Sequence, residues 1–468
     1  MFKNYKKIFF IGIGGIGMSA LAKYFLNKDR IIYGYDILRS DICISLEKQG
    51  SKITYCQKNL DFILDNNLFK DQESCLVVFT PAIKNDNIFL KFFIENKFNV
   101  KKRSEILSEI CEKKFLVAVA GTHGKTTTTS IISHILNSTD FNITAFIGGI
   151  SRNENSNLIG GEIDSKLIIV EADEYDKSFL KLSPNIAIIT SVDMDHSDIY
   201  TKTSSLKKAY HQFISNIASD GVLIIENKAL QELGNINFSN IITYSFSEDT
   251  DFRISSYEIT NRNSRFNFIN SNSNSNSNFF FNNEIVFCLP GKHNILNALA
   301  SILVCIQLDV KKEDIVKSIN SFLGIKRRFE IHFESKNKVF IDDYAQHPSE
   351  IKETLETLFE MYPNRKLTLI FQPHLYTRTR DFMNEFADVL SLPNHLLLLD
   401  IFPAREKPIK GIDSSRLLKK CRNKNKELVK KETVLNILNK SDFDVLVTMG
   451  AGNISSLVEQ IKNEYFVK

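Results

Sequence analysis

The sequence lacks a dominant charge. Its 59 basic and 55 acidic residues leave a formal net charge of +4. That is no electrostatic footprint for nucleic acid, and the scattered lysine pairs read as solvated faces. Cysteine is sparse: seven residues (43, 56, 75, 111, 288, 305 and 421), an odd count with no C-x-x-C. Buried or idle thiols in a reducing cytoplasm are therefore expected, not a disulfide framework. No run of about 18 apolar residues occurs beyond the N-terminal stretch, so no membrane-spanning helix is expected. The start "MFKNYKK-IFFIGIGGIGMSALA" imitates a signal peptide, with an A-x-A-like end at Ala20–Leu21–Ala22. The glycines at 12, 14, 15 and 17 would weaken a helical apolar segment, so a strand, a tight turn and a helix explain it better.

What is present is the composition of a globular protein, 43% hydrophobic and 24% charged over 468 residues. That length implies roughly two to four domains. Short apolar strands alternate with helical patterns: "KIFFIGI", "RIIYGYD", "KITYC" and "CLVVFT", then "FLVAVA", "KLIIVEAD", "NIAIITSVD" and "GVLIIEN". A third series follows in "KVFIDDYA", "KLTLIFQP", "HLLLLDIF" and "DVLVTMGAGN". Such alternation predicts parallel sheets covered by helices, in three α/β units with boundaries near residues 105 and 325. The polar, low-complexity stretch 269–283 reads as a surface loop between strands.

Two glycine-rich loops carry the chemistry. Gly12, Gly14 and Gly17 fit G-x-G-x-x-G after a strand, and Asp36 ends the next strand, where a dinucleotide enzyme would bind a ribose hydroxyl. Taken alone this leaves a nicotinamide- or flavin-dependent enzyme open. "GTHGKTTTT" (121–129) is the stronger signal. Its backbone N–H groups and helix start would cradle phosphate, with Lys125 as the cation for the β/γ-phosphates and the Thr126 hydroxyl as a Mg²⁺ ligand. Val119 stands where the strict P-loop pattern has its first glycine, so the loop is a shortened one.

Acids follow a buried strand at Glu171, Asp173, Glu174 and Asp176, and beside a phosphate loop Glu171 becomes a candidate metal ligand. His196 lies with Asp193 and Asp195 after another strand. Asn294 and Asn297, beside Gly291 and His293, fall on one face of a helix starting near 294, where they would read a base edge or cap the helix. Arg327 and Arg328 sit at a domain junction, where a guanidinium could reach a phosphate. Asp343, Tyr344, His347, His374, Arg378 and Arg380 cluster at strand ends of the last third.

The ordered series "GTHGKTTTT", "EADEYD", "DMDH", "GKHNILNALA", "KRRFE", "DDYAQHP", "FQPH" resembles that of the Mur ligases, ATP-dependent amide-forming enzymes of peptidoglycan synthesis, over nearly the whole chain. The resemblance implies an N-terminal Rossmann-like UDP-sugar domain (1–105), a central P-loop ATPase-type domain (106–324) and a C-terminal Rossmann-like α/β domain (325–468). It also implies that ATP phosphorylates the lactyl carboxylate of UDP-N-acetylmuramate. L-alanine's amine then displaces phosphate from the acyl phosphate.

Carried onto this chain, the resemblance assigns Gly12, Gly14, Gly15, Ile16, Gly17, Asp36 and Thr80 to the UDP-sugar. Gly121, Thr122, His123, Gly124, Lys125, Thr126 and Thr127 go to ATP, with His293, Asn294, Asn297, Arg328 and Asp343. Thr126, Glu171 and His196 would hold Mg²⁺. Tyr344, His374 and Arg378 would face the muramoyl end and the amino acid, and Lys125, His196 and Arg378 would be catalytic. Two positions depart from the pattern: Gln346 stands where relatives usually have the first of two histidines, and Leu375 where they often have arginine. A ligase for a preformed peptide, a nicotinamide-dependent dehydrogenase and a nucleotide-hydrolysing switch are the competing expectations.

Overall fold

The computed structural model describes residues 2–57, 60–161, 165–195, 199–200, 202–260, 262–271, 284–404 and 406–466. His196 lies outside the described residues, as does most of the 269–283 stretch. Two compact units form, the first comprising Met1–Val192, Lys207–Tyr244 and Ala300–Ser321. The second comprises Asp193–Leu206, Ser245–Leu299 and Phe322–Lys468.

In the first unit, β1 (Lys7–Ile11), β2 (Ile31–Tyr35), β3 (Lys52–Thr54), β4 (Cys75–Phe79) and β5 (Asn99–Lys102) form a sheet in the order β3-β2-β1-β4-β5. Every pairing in it is parallel. The order reverses between β1 and β4, and ligands of such sheets bind beyond the strand ends at that point. The core beneath is aromatic, with Phe9, Tyr33, Tyr35, Phe89 and Phe93 buried together.

A second sheet of this unit uses β6 (Phe115–Ala120), β7 (Ile143–Phe146), β8 (Leu158–Gly160), β9 (Leu167–Glu171), β10 (Ile186–Ile189), β11 (Val222–Glu226) and β12 (Ile241–Ser245). Its order is β12-β11-β10-β6-β9-β7-β8, parallel except at β7–β8. Leu116 to Ala120 of β6 are all buried, as a strand flanked on both sides and covered on both faces requires.

The two sheets are fastened through the helix Ile16–Leu26. Lys23 Nζ donates to Asn157 Oδ1 (2.8 Å) and Ser156 Oγ (3.2 Å). Asn157 Nδ2 donates back to Ile16 O (2.6 Å) and Ser19 Oγ (2.8 Å). Burial holds the Lys23 pKa below the usual lysine range.

In the second unit, β13 (Phe252–Ile259), β14 (Ser264–Asn270) and β15 (Ile285–Phe287) run antiparallel, a meander that the strand–helix alternation did not foretell. β16 (Glu330–Glu334), β17 (Val339–Asp343), β18 (Leu367–Phe371), β19 (His395–Leu398), β20 (Asn425–Leu428) and β21 (Val445–Met449) form the sheet β16-β17-β21-β18-β19-β20. Only the edge strand β16 is antiparallel to its neighbour among the described residues. Leu367, Leu369 and Phe371 of β18 enter one core while Ile370 enters the other. β21 divides the same way, Val445, Val447 and Met449 against Leu446. The period of two sends alternate side chains to opposite faces, and both faces are dry.

The fold is thus α/β with parallel sheets, as the alternation of strands and helices predicted. All seven cysteines are thiols, none of them paired in a disulfide. Among the described residues no helix is long and apolar enough to cross a membrane.

Candidate functional site

The first glycine loop sits at the strand-order reversal of the N-terminal sheet. Gly15 caps the helix Ile16–Leu26 with no side-chain cap, which leaves the helix N–H groups facing outward. Gly14 N donates to Asp36 Oδ2 (2.8 Å). A Cβ at Gly14 would lie 2.8 Å from Cys43 Sγ and 2.9 Å from Asp36 Oδ2, so only glycine lets the loop close onto β2. The other Asp36 oxygen accepts from Ile37 N (2.8 Å) and Leu38 N (3.3 Å). Its carboxylate therefore shapes the loop as well as standing at the end of β2.

Thr80, just past β4, approaches Gly12 from the other side, its Cγ2 3.1 Å from a Cβ placed there. Gly12, Gly14, Gly15, Ile16, Gly17, Asp36 and Thr80 are thereby gathered at one crevice. Arg103, which no motif marked, joins them with its guanidinium against Gly17 (Nη1 3.0 Å from a Cβ placed there). It stands in a run of basic residues, "KKRSE", that reads from sequence as a solvated face.

The second loop leaves β6 and enters the helix Lys125–Asn137, which Gly124 caps. Gly121 takes φ +131°, and a Cβ there would lie 2.1 Å from Thr190 Oγ1 and 2.9 Å from Ser191 N. The same neighbours hold the crown: Thr122 N donates to Ser191 O (3.1 Å) and His123 N to Ser191 Oγ (2.9 Å). Lys125 Nζ folds back over this crown, donating to Gly121 O (2.6 Å) and to Glu174 Oε2 (2.8 Å). Glu174, one of the acids after β9, is 2% exposed. Burial draws the Lys125 pKa down, but Glu174, Asp173 and Glu171 outweigh it and hold the ammonium above the usual lysine range. The lysine stays charged.

Glu171, in register with Val119 of β6, ends β9 beside the loop, and its Oε1 accepts from Gly148 N (2.6 Å). Thr126 and Thr127 are buried in the first turn of the helix. Among the described residues no three His, Cys, Asp or Glu side chains converge as a metal cluster.

The second unit gathers the C-terminal candidates. Arg378 (5% exposed) makes a bidentate pair with Asp195, Nη2 to Oδ2 at 2.9 Å and to Oδ1 at 3.0 Å, with Nε to Oδ1 at 3.2 Å. Its Nη1 donates to Gln346 Oε1 (2.9 Å) and lies 3.5 Å from His374 Nδ1. The His374 ring stacks on Phe402 at 5.8 Å. Leu375 takes φ +71° at the start of the helix Tyr376–Asp381, which turns Arg378 inward.

Tyr344 is flanked by Arg327 and Arg328, whose Cζ atoms lie 5.3 and 4.8 Å from the ring centre. Arg327 Nε pairs with the buried Asp342 (2.9 Å) and its Nη2 with Gly450 O (2.6 Å). Asp343 accepts from Ala345 N (2.7 Å) and Phe329 N (2.9 Å), which fixes the chain on either side of it.

The helix Lys292–Gln307 begins two residues before the expected start. Within it Asn294 Nδ2 donates to Pro290 O (2.8 Å), Asn297 Nδ2 lies 3.5 Å from Asn294 Oδ1, and His293 Nδ1 lies 3.6 Å from Glu353. These three form a separate group from the Arg378 cluster, with no hydrogen bond between the two groups among the described residues.

Burial pushes the Asp343 pKa up to about 6, against the pull of Arg328 and of the Ala345 and Phe329 N–H groups. The folded state thus binds this proton more readily than the unfolded chain. Its contribution to stability is greatest below the ordinary carboxylate pKa and falls as pH rises through about 6. We expect Asp343→Asn to be most destabilising, relative to the parent, near pH 4. By pH 7 the gap narrows or reverses by up to about 3 kcal/mol, measured by urea denaturation at the two pH values.

Compared with known proteins, the chain matches three family models in succession: "Mur ligase family, catalytic domain" over residues 7–115, "Mur ligase middle domain" over 119–305 and "Mur ligase, glutamate ligase domain" over 327–452. It is 41% identical to the UDP-N-acetylmuramate–L-alanine ligase of Christiangramia forsetii, over 98% of this chain and 97% of that protein. The Flavobacterium psychrophilum enzyme of the same name is 43% identical over the same shares. Among solved structures, UDP-N-acetylmuramate–alanine ligase from Thermotoga maritima superposes with a TM-score of 0.79 at 27% identity, covering 98% of this chain and 99% of that one. A murein peptide ligase from Psychrobacter arcticus shares the fold, with a TM-score of 0.72 at 21% identity over 98% of each chain.

Proposed function

The chain belongs to the Mur ligase family, and from that premise we propose that it joins L-alanine to the lactyl carboxylate of UDP-N-acetylmuramate at the expense of ATP. The observation that carries this reading is the identity of 41 and 43% to alanine-adding ligases over 98% of the chain. Its domains are 1–105, 106–324 and 325–468, and it works in the cytoplasm, where the seven thiols stay reduced.

A carboxylate is a poor electrophile, and its oxygen a poor leaving group. The protein's task is to hold reactants in line, neutralise charge and exclude water. The Gly12–Gly17 loop offers its N–H groups and helix end to the UDP diphosphate, with Arg103 beside it. The Gly121–Thr127 loop does the same for ATP. Lys125 spreads the charge gathering on the β/γ-phosphates, and ATP takes the place of Glu174 as the partner of its ammonium. The resemblance assigns the Asn294 group and Arg328 to the nucleotide, and Tyr344, His374 and Arg378 to the muramoyl end and the amino acid.

Mg²⁺ fits the oxygen donors here: the Thr126 hydroxyl at the head of the helix and the Glu171 carboxylate at the end of β9 are hard ligands. Thr126 and Glu171 would hold the ion, and His196 stands in the sequence as a further donor. When bound, the ion neutralises phosphate charge.

Phosphate release with ATP, Mg²⁺ and UDP-N-acetylmuramate, offered either L-alanine or a tripeptide, tests the reading. We expect release with L-alanine. Release with the tripeptide alone would assign the chain to peptide joining.

A further inference from the structure

We propose that Gln346 is a positioning residue: its side-chain carbonyl aims the Arg378 guanidinium at Asp195, with an acceptor that no change of pH can remove. A guanidinium has five N–H donors in a rigid fork and no acceptor. Asp195 takes one side of the Arg378 fork through Nε and Nη2, at 2.9 to 3.2 Å. That pair alone leaves Nη1 undirected inside a side chain that is 5% exposed. Gln346 Oε1, at 2.9 Å, and His374 Nδ1, at 3.5 Å, are the groups that direct it. With those donors engaged, the guanidinium is held in one orientation.

The acceptor is itself fixed. Gln346 N and His347 N both donate to Glu350 Oε2 (3.0 and 3.2 Å), which ties the Gln346 backbone to the first turn of the helix Pro348–Met361. His374 is fixed by its stack on Phe402, and Leu375 N donates to Phe402 O (3.0 Å). Among the described residues, Asp195 and His374 meet Arg378, Glu350 accepts from Gln346 N, and His347 follows Gln346 in the chain. Among the acceptors of Arg378, Gln346 is the one that cannot titrate. An amide oxygen accepts at every pH. An imidazole in this place would accept only while neutral, and once protonated would set a second cation against the guanidinium.

The proposal rests on the L-alanine-joining reading, and two variants test it. Gln346→Leu, which removes the acceptor, is expected to lower kcat/KM for L-alanine about tenfold from pH 6 to pH 9, with KM for ATP within about twofold of the parent. Gln346→His is expected to match the parent at pH 8.5 and to fall to the level of the leucine variant at pH 6. A leucine variant within twofold of the parent at every pH, or a histidine variant with the parent's pH profile, overturns the proposal.

A second readout does not need turnover. The Arg378 Nε–H, followed by ¹⁵N NMR, should exchange slowly in the parent and quickly in Gln346→Leu. Equal exchange in the two proteins also overturns the proposal. A parent protein with no alanine-dependent phosphate release would instead overturn the proposed function, while the exchange comparison still decides the role of Gln346.

Discussion

Lys125→Ala lowers alanine-dependent phosphate release by about a thousandfold or more, while the affinity for UDP-N-acetylmuramate stays within about twofold of the parent. Two effects add. The substitution removes the cation proposed to meet the β/γ-phosphates. It also strips Glu174, 2% exposed, of its 2.8 Å partner, leaving a buried carboxylate beside the proposed triphosphate site. Steady-state phosphate release and calorimetric titration with the UDP-sugar separate the two readouts. Turnover within tenfold of the parent would remove Lys125 from the phosphate site. Equal loss of UDP-sugar binding would mean that the damage had spread to the N-terminal loop. Lys125→Ala,Glu174→Gln should bind ATP better than Lys125→Ala alone, because the stranded charge is gone.

Gly121→Ala is the second large effect. The added methyl would meet Thr190 Oγ1 at 2.1 Å and Ser191 N at 2.9 Å, with the backbone at φ +131°, a conformation hostile to any L side chain. Relief requires pushing the loop off the two residues that hold its crown, since Thr122 N and His123 N both bond to Ser191. A phosphate cradle displaced by about 1 Å loses on the order of a hundredfold in rate. We expect that loss in turnover together with a raised KM for ATP, and a melting temperature lowered by a few degrees. An alanine variant with parental kinetics would show that the crown re-forms without Ser191.

Both glycine loops were legible in the sequence because the feature that makes them, glycine between a buried strand and a helix, is local. The parallel sheets were legible for the same reason, since strands such as "FLVAVA" and "DVLVTM" are continuous apolar runs. The antiparallel β13 and β14 were not. "FRISSYEI" and "SRFNFIN" mix charge and serine into strands whose burial on one face alone is decided by neighbours. The Arg378–Asp195 pair joins residues 183 apart, a separation that leaves no periodic trace. Arg103 and Glu174 were hidden in charged runs, where only the fold distinguishes the inward side chain from the solvated ones. Gln346 was visible as a departure from the family pattern, but its bond to Arg378 needed coordinates.

The Lys23–Asn157 fastening bears on how far the polypeptide can be taken apart. A fragment ending near residue 105 would keep the whole N-terminal sheet yet surrender both neutral acceptors of a lysine held below its usual pKa. Its first helix would also lose the amide that grips Ile16 O and Ser19 Oγ beside the Gly12–Gly17 loop. Lys23 would recover its water and its ordinary basicity, and the helix would be left with a bare flank. The N-terminal segment is therefore not portable: grafted elsewhere, it would need a new host surface carrying an amide and a hydroxyl in the places of Asn157 and Ser156.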